Sequence, residues 1–233
     1  WAGDRVLKSD ELEMQSEWPH IQLIDRTLDE RWSNSLLSSD FIAELRDHSR
    51  RIVVVLNTKG RARLLACASC KSLARCASCD AAVEIGAEGH FSCPRCSTQR
   101  PQVCMKCSSA KFLTLKPGVS KLREEIAQAA GRKINEVVEV TGGGDDAVAI
   151  DQSKMLFVGT EAALHRVHEA DTVVFLDIDQ ELAAPRYRAS EIVGSLLVHA
   201  ARLVGRSDPG GKVMVQTHSI DSPVLQAMAT LRI

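Results

Sequence analysis

Cys67-Ala68-Ser69-Cys70, Cys76-Ala77-Ser78-Cys79, Cys93-Pro94-Arg95-Cys96 and Cys104-Met105-Lys106-Cys107 hold all eight cysteines of a 233-residue chain in four pairs of one spacing. A Cys-x-x-Cys turn presents two sulfurs on one side of a tight knuckle. Two knuckles facing each other make a four-thiolate cage for zinc. Eight ligands fill two cages with none left over. Loop length selects the partners: thirteen residues separate Cys79 from Cys93, close to an ordinary zinc ribbon hairpin, whereas five separate Cys70 from Cys76, too few to run out and back. The expected inner site is therefore Cys76, Cys79, Cys93 and Cys96, nested inside an outer site of Cys67, Cys70, Cys104 and Cys107. A cage closed by four cysteines keeps no position for water, so both zinc ions are expected to be structural.

Three plainer readings compete with metal. A disulfide framework belongs to oxidising compartments and small secreted scaffolds, and no signal peptide is visible. A thioredoxin-type redox motif uses one such pair rather than four. Unpaired buried cysteines have no reason to fall at four equal spacings.

Around this block the composition is that of a globular chain, 45% hydrophobic and 25% charged, with a formal net charge of -1. Such a balance excludes a free-standing electrostatic nucleic-acid binder, so any contact with nucleic acid must come from local patches. No apolar run is long enough to cross a membrane. Thiols reserved for metal point to the cytoplasm. The chain opens on Trp1 and is expected to be a piece of something longer.

Outward from the cysteines, Ile52-Val53-Val54-Val55-Leu56 is apolar on both faces, as a strand inside a parallel sheet must be. Ile21 to Asp25 alternates weakly and suits an edge strand. Ser38 or Ser39 can cap a helix whose stripe is Phe41, Ile42 and Leu45, running to about Arg50. Residues 118 to 131 read as a helix, with Ser120 as a possible cap, Leu122, Ile126 and Ala129/Ala130 as the buried stripe, and Gly131 as the stop. Further strands are expected at Glu136–Val140, Met155–Val158, Thr172–Leu176 and Lys212–Thr217. Tyr187 to Gly205 is the longest helix, with Ile192, Val193, Leu196, Leu197, Ala200, Leu203 and Val204 inward, and a short helix follows Ser222. Gly142 to Asp146 reads as a turn and lacks the ending of a phosphate loop. The alternation predicts an α/β fold, a doubly wound sheet with the zinc-ribbon module inserted after its first central strand. The expected divisions are an arm at 1–20, the sheet at 21–66 and 113–233, and the insertion at 67–112.

In such sheets ligands gather at the carboxyl ends of the strands. Gly159-Thr160-Glu161 and Asp177-x-Asp179 stand on that rim. The two carboxylates could hold a metal or orient a neighbouring domain; equally, they could begin a loop and cap the next element. The helix face bearing His199, Arg202 and Arg206 could meet a phosphate or simply face water. His165, His168 and His218 lack ligand spacing. Lys71, Arg75, Arg95, Arg100, Lys106 and Lys111 suit a phosphate-facing surface as well as they balance two zinc–tetrathiolate centres.

Taken together, Val53-Val54-Val55-Leu56-Asn57-x-x-Gly60, the four knuckles, Gly159-Thr160, Asp177-x-Asp179, Pro185-x-Tyr187-Arg188-Ala189-x-Glu191, Gly205-Arg206 and Val215-Gln216-Thr217-His218 resemble the PriA family of replication restart helicases, over about residues 20 to 230. The resemblance implies the second RecA-like lobe of a P-loop NTPase helicase, with nucleotide-facing Gly159, Thr160 and Arg206. It also implies DNA, forked or single-stranded, as ligand, and primosome proteins and single-stranded DNA-binding protein as partners.

The nucleotide motifs depart from the family pattern. Gly-Thr-Gln with a following Lys-Gly becomes Gly159-Thr160-Glu161 with His165-Arg166. Gln-x-x-Gly-Arg-x-Gly-Arg becomes His199-x-x-Arg202-Leu203-x-Gly205-Arg206, and Gly-Thr-Glu becomes Gly118-Val119-Ser120. An arginine finger in place is worth about 10³–10⁵ in rate; Arg202 lies one residue off, a rotation of roughly 100° around the helix. The expectation is a lobe that keeps its shape and two Zn2+ but not its ATP/Mg2+ turnover. An active ATP-dependent 3′-5′ DNA helicase and a zinc-ribbon adaptor for protein partners are the alternatives.

Overall fold

A strand that is apolar on both faces needs cover on both sides, and that requirement sets the layers here. The computed structural model describes residues 18–28, 35–56, 65–86, 89–114, 119–142, 150–184, 187–205 and 210–230. The chain begins with β1 (His20–Asp25), α1 (Ser39–Leu45) and β2 (Ile52–Val55). It then enters the cysteine block through β3 (Leu65–Cys67), β4 (Glu84–Ile85), β5 (His90–Ser92), β6 (Gln99–Pro101) and β7 (Phe112–Thr114). It returns through α2 (Val119–Ala129), β8 (Val137–Val140), β9 (Leu156–Gly159), α3 (Ala162–Arg166) and β10 (Thr172–Phe175). It finishes with α4 (Asp179–Leu182), α5 (Ala189–Val204), β11 (Lys212–Thr217) and α6 (Pro223–Thr230).

Six strands form one sheet in the order β1-β11-β10-β2-β9-β8, every pair parallel. Alternation along each strand divides the core in two. Val53 and Val55 of β2, with Phe157, Val173, Phe175, Val213 and Val215, pack under α3, α5 and α6. Ile52 and Val54, with Leu156, Val158, Val174 and Met214, pack under α1 and α2 through Phe41, Leu45, Leu122 and Ile126. The sheet is thus covered on both faces, and β1 is an edge strand as its weaker pattern foretold.

Several local expectations shift. Ser38 is the cap, its Oγ accepting from the Phe41 amide at 3.2 Å. The helix stops at Leu45 rather than near Arg50, because Asp47 Oδ1 accepts from the Ser49 amide and hydroxyl and turns the chain. Ser120 lies inside the first turn of α2, not before it. Glu136 closes a 3-10 turn ahead of β8. Two short helices, α3 and α4, go unannounced by any long period. Residues 1–17 of the expected arm, residues 57–64, 143–149 and 207–209, Gly118, Pro185 and Arg206 lie outside the described residues.

One glycine is fixed by strand packing. A Cβ on Gly159 would stand 1.8 Å from the Val140 carbonyl oxygen, so β8 and β9 close there only around hydrogen. The cysteine block leaves the sheet from the carboxyl end of its central strand β2 and comes back at β7. A β3–β7 antiparallel pair forms its stem and β4–β5–β6 a small antiparallel sheet.

Candidate metal centre

Each of the four knuckles folds by the same local rule. The residue directly after the second cysteine turns left-handed: Lys71, Asp80, Ser97 and Ser108 have φ of 61, 57, 60 and 59°. That turn lets the amides of these residues reach back to the carbonyls of Cys67, Cys76, Cys93 and Cys104, at 2.9, 3.1, 2.9 and 2.9 Å. The first cysteine of each pair in turn donates its amide to the carbonyl of Ser72, Ala81, Thr98 or Ser109. Backbone loops closed this way point both sulfurs of a pair to one side.

The sulfurs gather into two sets, Cys67, Cys70, Cys104 and Cys107, and Cys76, Cys79, Cys93 and Cys96, each with all Sγ atoms within 4.8 Å. The nested pairing expected from loop length is the pairing the fold brings together. Across the knuckles Cys67 to Cys107, Cys70 to Cys104, Cys76 to Cys96 and Cys79 to Cys93 each span 3.5 Å. A tetrahedral zinc–thiolate centre with bonds of about 2.3 Å places its sulfurs about 3.8 Å apart, so the donor set fits that ion. No pair is disulfide-bonded.

Protonation tells the same story. Burial opposes the Cys104 thiolate, yet the Ser72 hydroxyl and the Cys107 and Lys106 amides hold it down at about 6. The Thr98 hydroxyl and amide bring Cys96 down to about 6. The Ala81 amide favours the Cys79 thiolate, but burial and the sulfurs of Cys96, Cys93 and Cys76 push it up to about 12. Cys107 rises to about 12 likewise, against the Ser109 amide, through Cys70, burial, Cys67 and Cys104. Four thiols this close cannot all ionise without a cation among them, and a divalent cation resolves the conflict.

The module around the sulfurs is small. Leu65, Ala74, Ala81, Val83 and Phe91 form its apolar centre. Phe91 meets Phe112 edge-to-face at 4.8 Å, and the Arg100 guanidinium lies 4.7 Å over the Phe91 ring. Arg100 also donates to the Val103 carbonyl at 2.7 Å and the Arg75 carbonyl at 3.0 Å. Arg75 is occupied as well, donating to Asp80 Oδ2 at 2.8 Å and to Ser219 Oγ at 2.7 Å. Both arginines are half-buried and already bonded within the protein, which leaves them less of the guanidinium to offer a phosphate. Arg95, Lys106 and Lys111 remain on the surface and Lys71 is half-buried.

On the strand-end rim the carboxylates cap and connect. Asp179, 1% exposed, accepts from the Thr217 hydroxyl at 2.9 Å and the His218 amide at 2.6 Å, and stands 3.9 Å from Arg75 Nη2. It begins α4 and lies beside the cysteine module, so both the loop-starting and the orienting roles that the spacing left open fit its place. Asp177 accepts from Gln180 Nε2 at 2.9 Å; burial, then the charge of Asp179, pushes its carboxyl up to about 7. Gly159 serves the close strand approach. Thr160 is buried, its amide donating to the Val140 carbonyl and its carbonyl accepting from Ala163 at the start of α3. The rings of His199 and His165 meet edge-to-face at 4.8 Å, so two histidines that the sequence left apart are neighbours. Sequence reasoning missed Arg75 as the link between module and sheet; its place directly before Cys76 was the available signal.

With this geometry established, comparison with known proteins returns curated bacterial relatives. The chain is similar to replication restart protein PriA. It is 25% identical to PriA of Haemophilus influenzae over 210 residues, 82% of this chain and 28% of that one. It is 24% identical to PriA of Synechocystis over 232 residues, 91% of this chain and 28% of the relative, and 24% identical to PriA of Bacillus subtilis over 217 residues, 86% and 27%. The chain spans less than a third of the length of these curated relatives. No protein-family model matches it. Among the described residues no helix is long and apolar enough to cross a membrane.

Proposed function

We propose that the chain is the second RecA-like helicase lobe, with an inserted two-zinc module, of a replication restart protein. In this reading it binds forked or single-stranded DNA at stalled forks and, with primosome proteins and single-stranded DNA-binding protein, helps reload the replicative helicase. The lobe is residues 21–66 and 113–233, the module 67–112, and 1–20 an arm from a preceding lobe; the setting is the cytoplasm. What carries the reading is one coincidence: similarity to PriA over 82–91% of the chain includes two nested four-cysteine sets rooted at the carboxyl end of the central strand.

The same reading includes loss of ATP turnover. Glu161, His199 and Leu203 stand where the family motif carries two glutamines and an arginine, and the His199 ring is packed against His165. DNA-stimulated ATP hydrolysis by the full-length protein would overturn that part alone.

Phosphates would meet Arg95, Lys106 and Lys111, the cations of the module that face solvent. Binding of a forked oligonucleotide, followed by fluorescence anisotropy at graded salt, is the test. Replacing the three by glutamine should weaken binding and flatten the plot of log K against log salt by about 0.9 for each phosphate no longer neutralised. Binding insensitive to both salt and the triple substitution would favour a protein-binding adaptor instead.

A further inference from the structure

We infer that the two cages have different jobs: the inner set, through Arg75, locks the cysteine module onto the strand-end rim, while the outer set only closes the module's stem. The inference rests on the reading that both sets hold zinc. Arg75 directly precedes Cys76, and Asp80 directly follows Cys79, so the pair brackets the inner knuckle. The Arg75 guanidinium joins Asp80 of that knuckle to Ser219 beyond β11 and to Asp179 beyond β10. Asp179 in turn holds the end of β11 through Thr217 and His218. A second tie runs from the same segment, the Ala82 amide donating to the Ala183 carbonyl at 2.8 Å, with Ala82 and Ala183 buried together beside Leu73. Cys79 and Asp80 also share a cleft of about 130 Å³ with Leu182, Tyr187 and Ser190.

The outer knuckles bond differently. Ala68 donates its amide to the Lys111 carbonyl at 2.9 Å, and the Ser69 and Ser109 hydroxyls meet at 3.0 Å, bonds that stay within the module. Metal supplies much of the folding energy of such knuckles. When the inner knuckle opens, the left-handed turn at Asp80 relaxes and Asp80 leaves Arg75. The guanidinium then loses the geometry that spans β10 and β11. Opening the outer knuckle leaves this hub in place.

The test compares the zinc-loaded full-length protein with Cys79→Ser, Cys107→Ser and Arg75→Gln, the last keeping all eight cysteines. Zinc content and amide hydrogen exchange at Ala82 and His218 are read in each. Exchange at both amides should quicken about tenfold in Cys79→Ser and in Arg75→Gln, the order expected when one charge-assisted hydrogen bond is removed. Cys107→Ser should leave both rates within about twofold, and Arg75→Gln should retain two zinc ions. Equal quickening by Cys79→Ser and Cys107→Ser, or unchanged rates in Arg75→Gln with zinc retained, overturns the division of labour and leaves the metal reading standing. Wild-type protein that takes up no zinc overturns both.

Discussion

Asp177→Asn should make the sheet more stable at alkaline pH, although it removes a charge from a hydrogen-bonded pair. Asp177 is 6% exposed, and burial with the nearby charge of Asp179 raises its carboxyl to about 7, against about 3.9 in an unfolded chain. Between those values the folded state holds a proton that the unfolded state has released. Its contribution to stability is therefore complete below about pH 4 and is lost as pH rises through 7. Three units at 1.36 kcal/mol each put the whole loss on the order of 4 kcal/mol, of which about 2 kcal/mol falls between pH 5.5 and 8.5. Asparagine carries no charge, and its carbonyl can still accept from Gln180 Nε2. Urea unfolding at the two pH values, with zinc present, reports the difference through Trp18, which packs against the sheet core. The wild-type minus variant stability should fall by about 2 kcal/mol on going to pH 8.5. Parallel pH profiles for the two proteins would refute the reasoning.

Three further outcomes are expected. Cys76→Ser should lower bound zinc from two ions per chain to one by elemental analysis and unfold the module locally, since its apolar centre is only a handful of side chains. Gly159→Ala should cost about 3 kcal/mol in chemical unfolding, because the added methyl meets the Val140 carbonyl inside the sheet. Burial works against the Glu44 carboxylate, but hydrogen bonds from Lys212 and Thr172 and the Arg50 charge outweigh it and lower its pKa, so its contribution is present at neutral pH and lost as pH falls through the folded value. Glu44→Ala should therefore destabilise by about 3 kcal/mol at pH 7 and by less under acid, in the same unfolding assay.

The sheet was legible because its strands are extreme. A run such as Ile52 to Leu56 cannot sit at a surface, and the two sides of its alternation became two separate cores. The two sulfur sets were legible because identical spacings and unequal loops admit one sensible pairing. What stayed hidden depends on distance across the fold. Arg75 reads as one more surface cation until Asp179, more than a hundred residues away, is placed beside it. Asp177 and Asp179 look alike in sequence, and only burial and the neighbours of each decide that one is a nearly neutral acid and the other a connector. Short helices such as Ala162–Arg166 are set by the strand ends they follow, with too few residues to show a period.

The turn residues of the four knuckles carry one further consequence. A side chain in the left-handed region costs about 1–2 kcal/mol relative to glycine, and Lys71, Asp80, Ser97 and Ser108 all bear one. An ion in each cage would hold these turns closed against that cost, and chelation would let them uncoil. Each cage would restrain two of the four turns, Lys71 with Ser108 and Asp80 with Ser97, so stripping one ion would release its two turns as a pair.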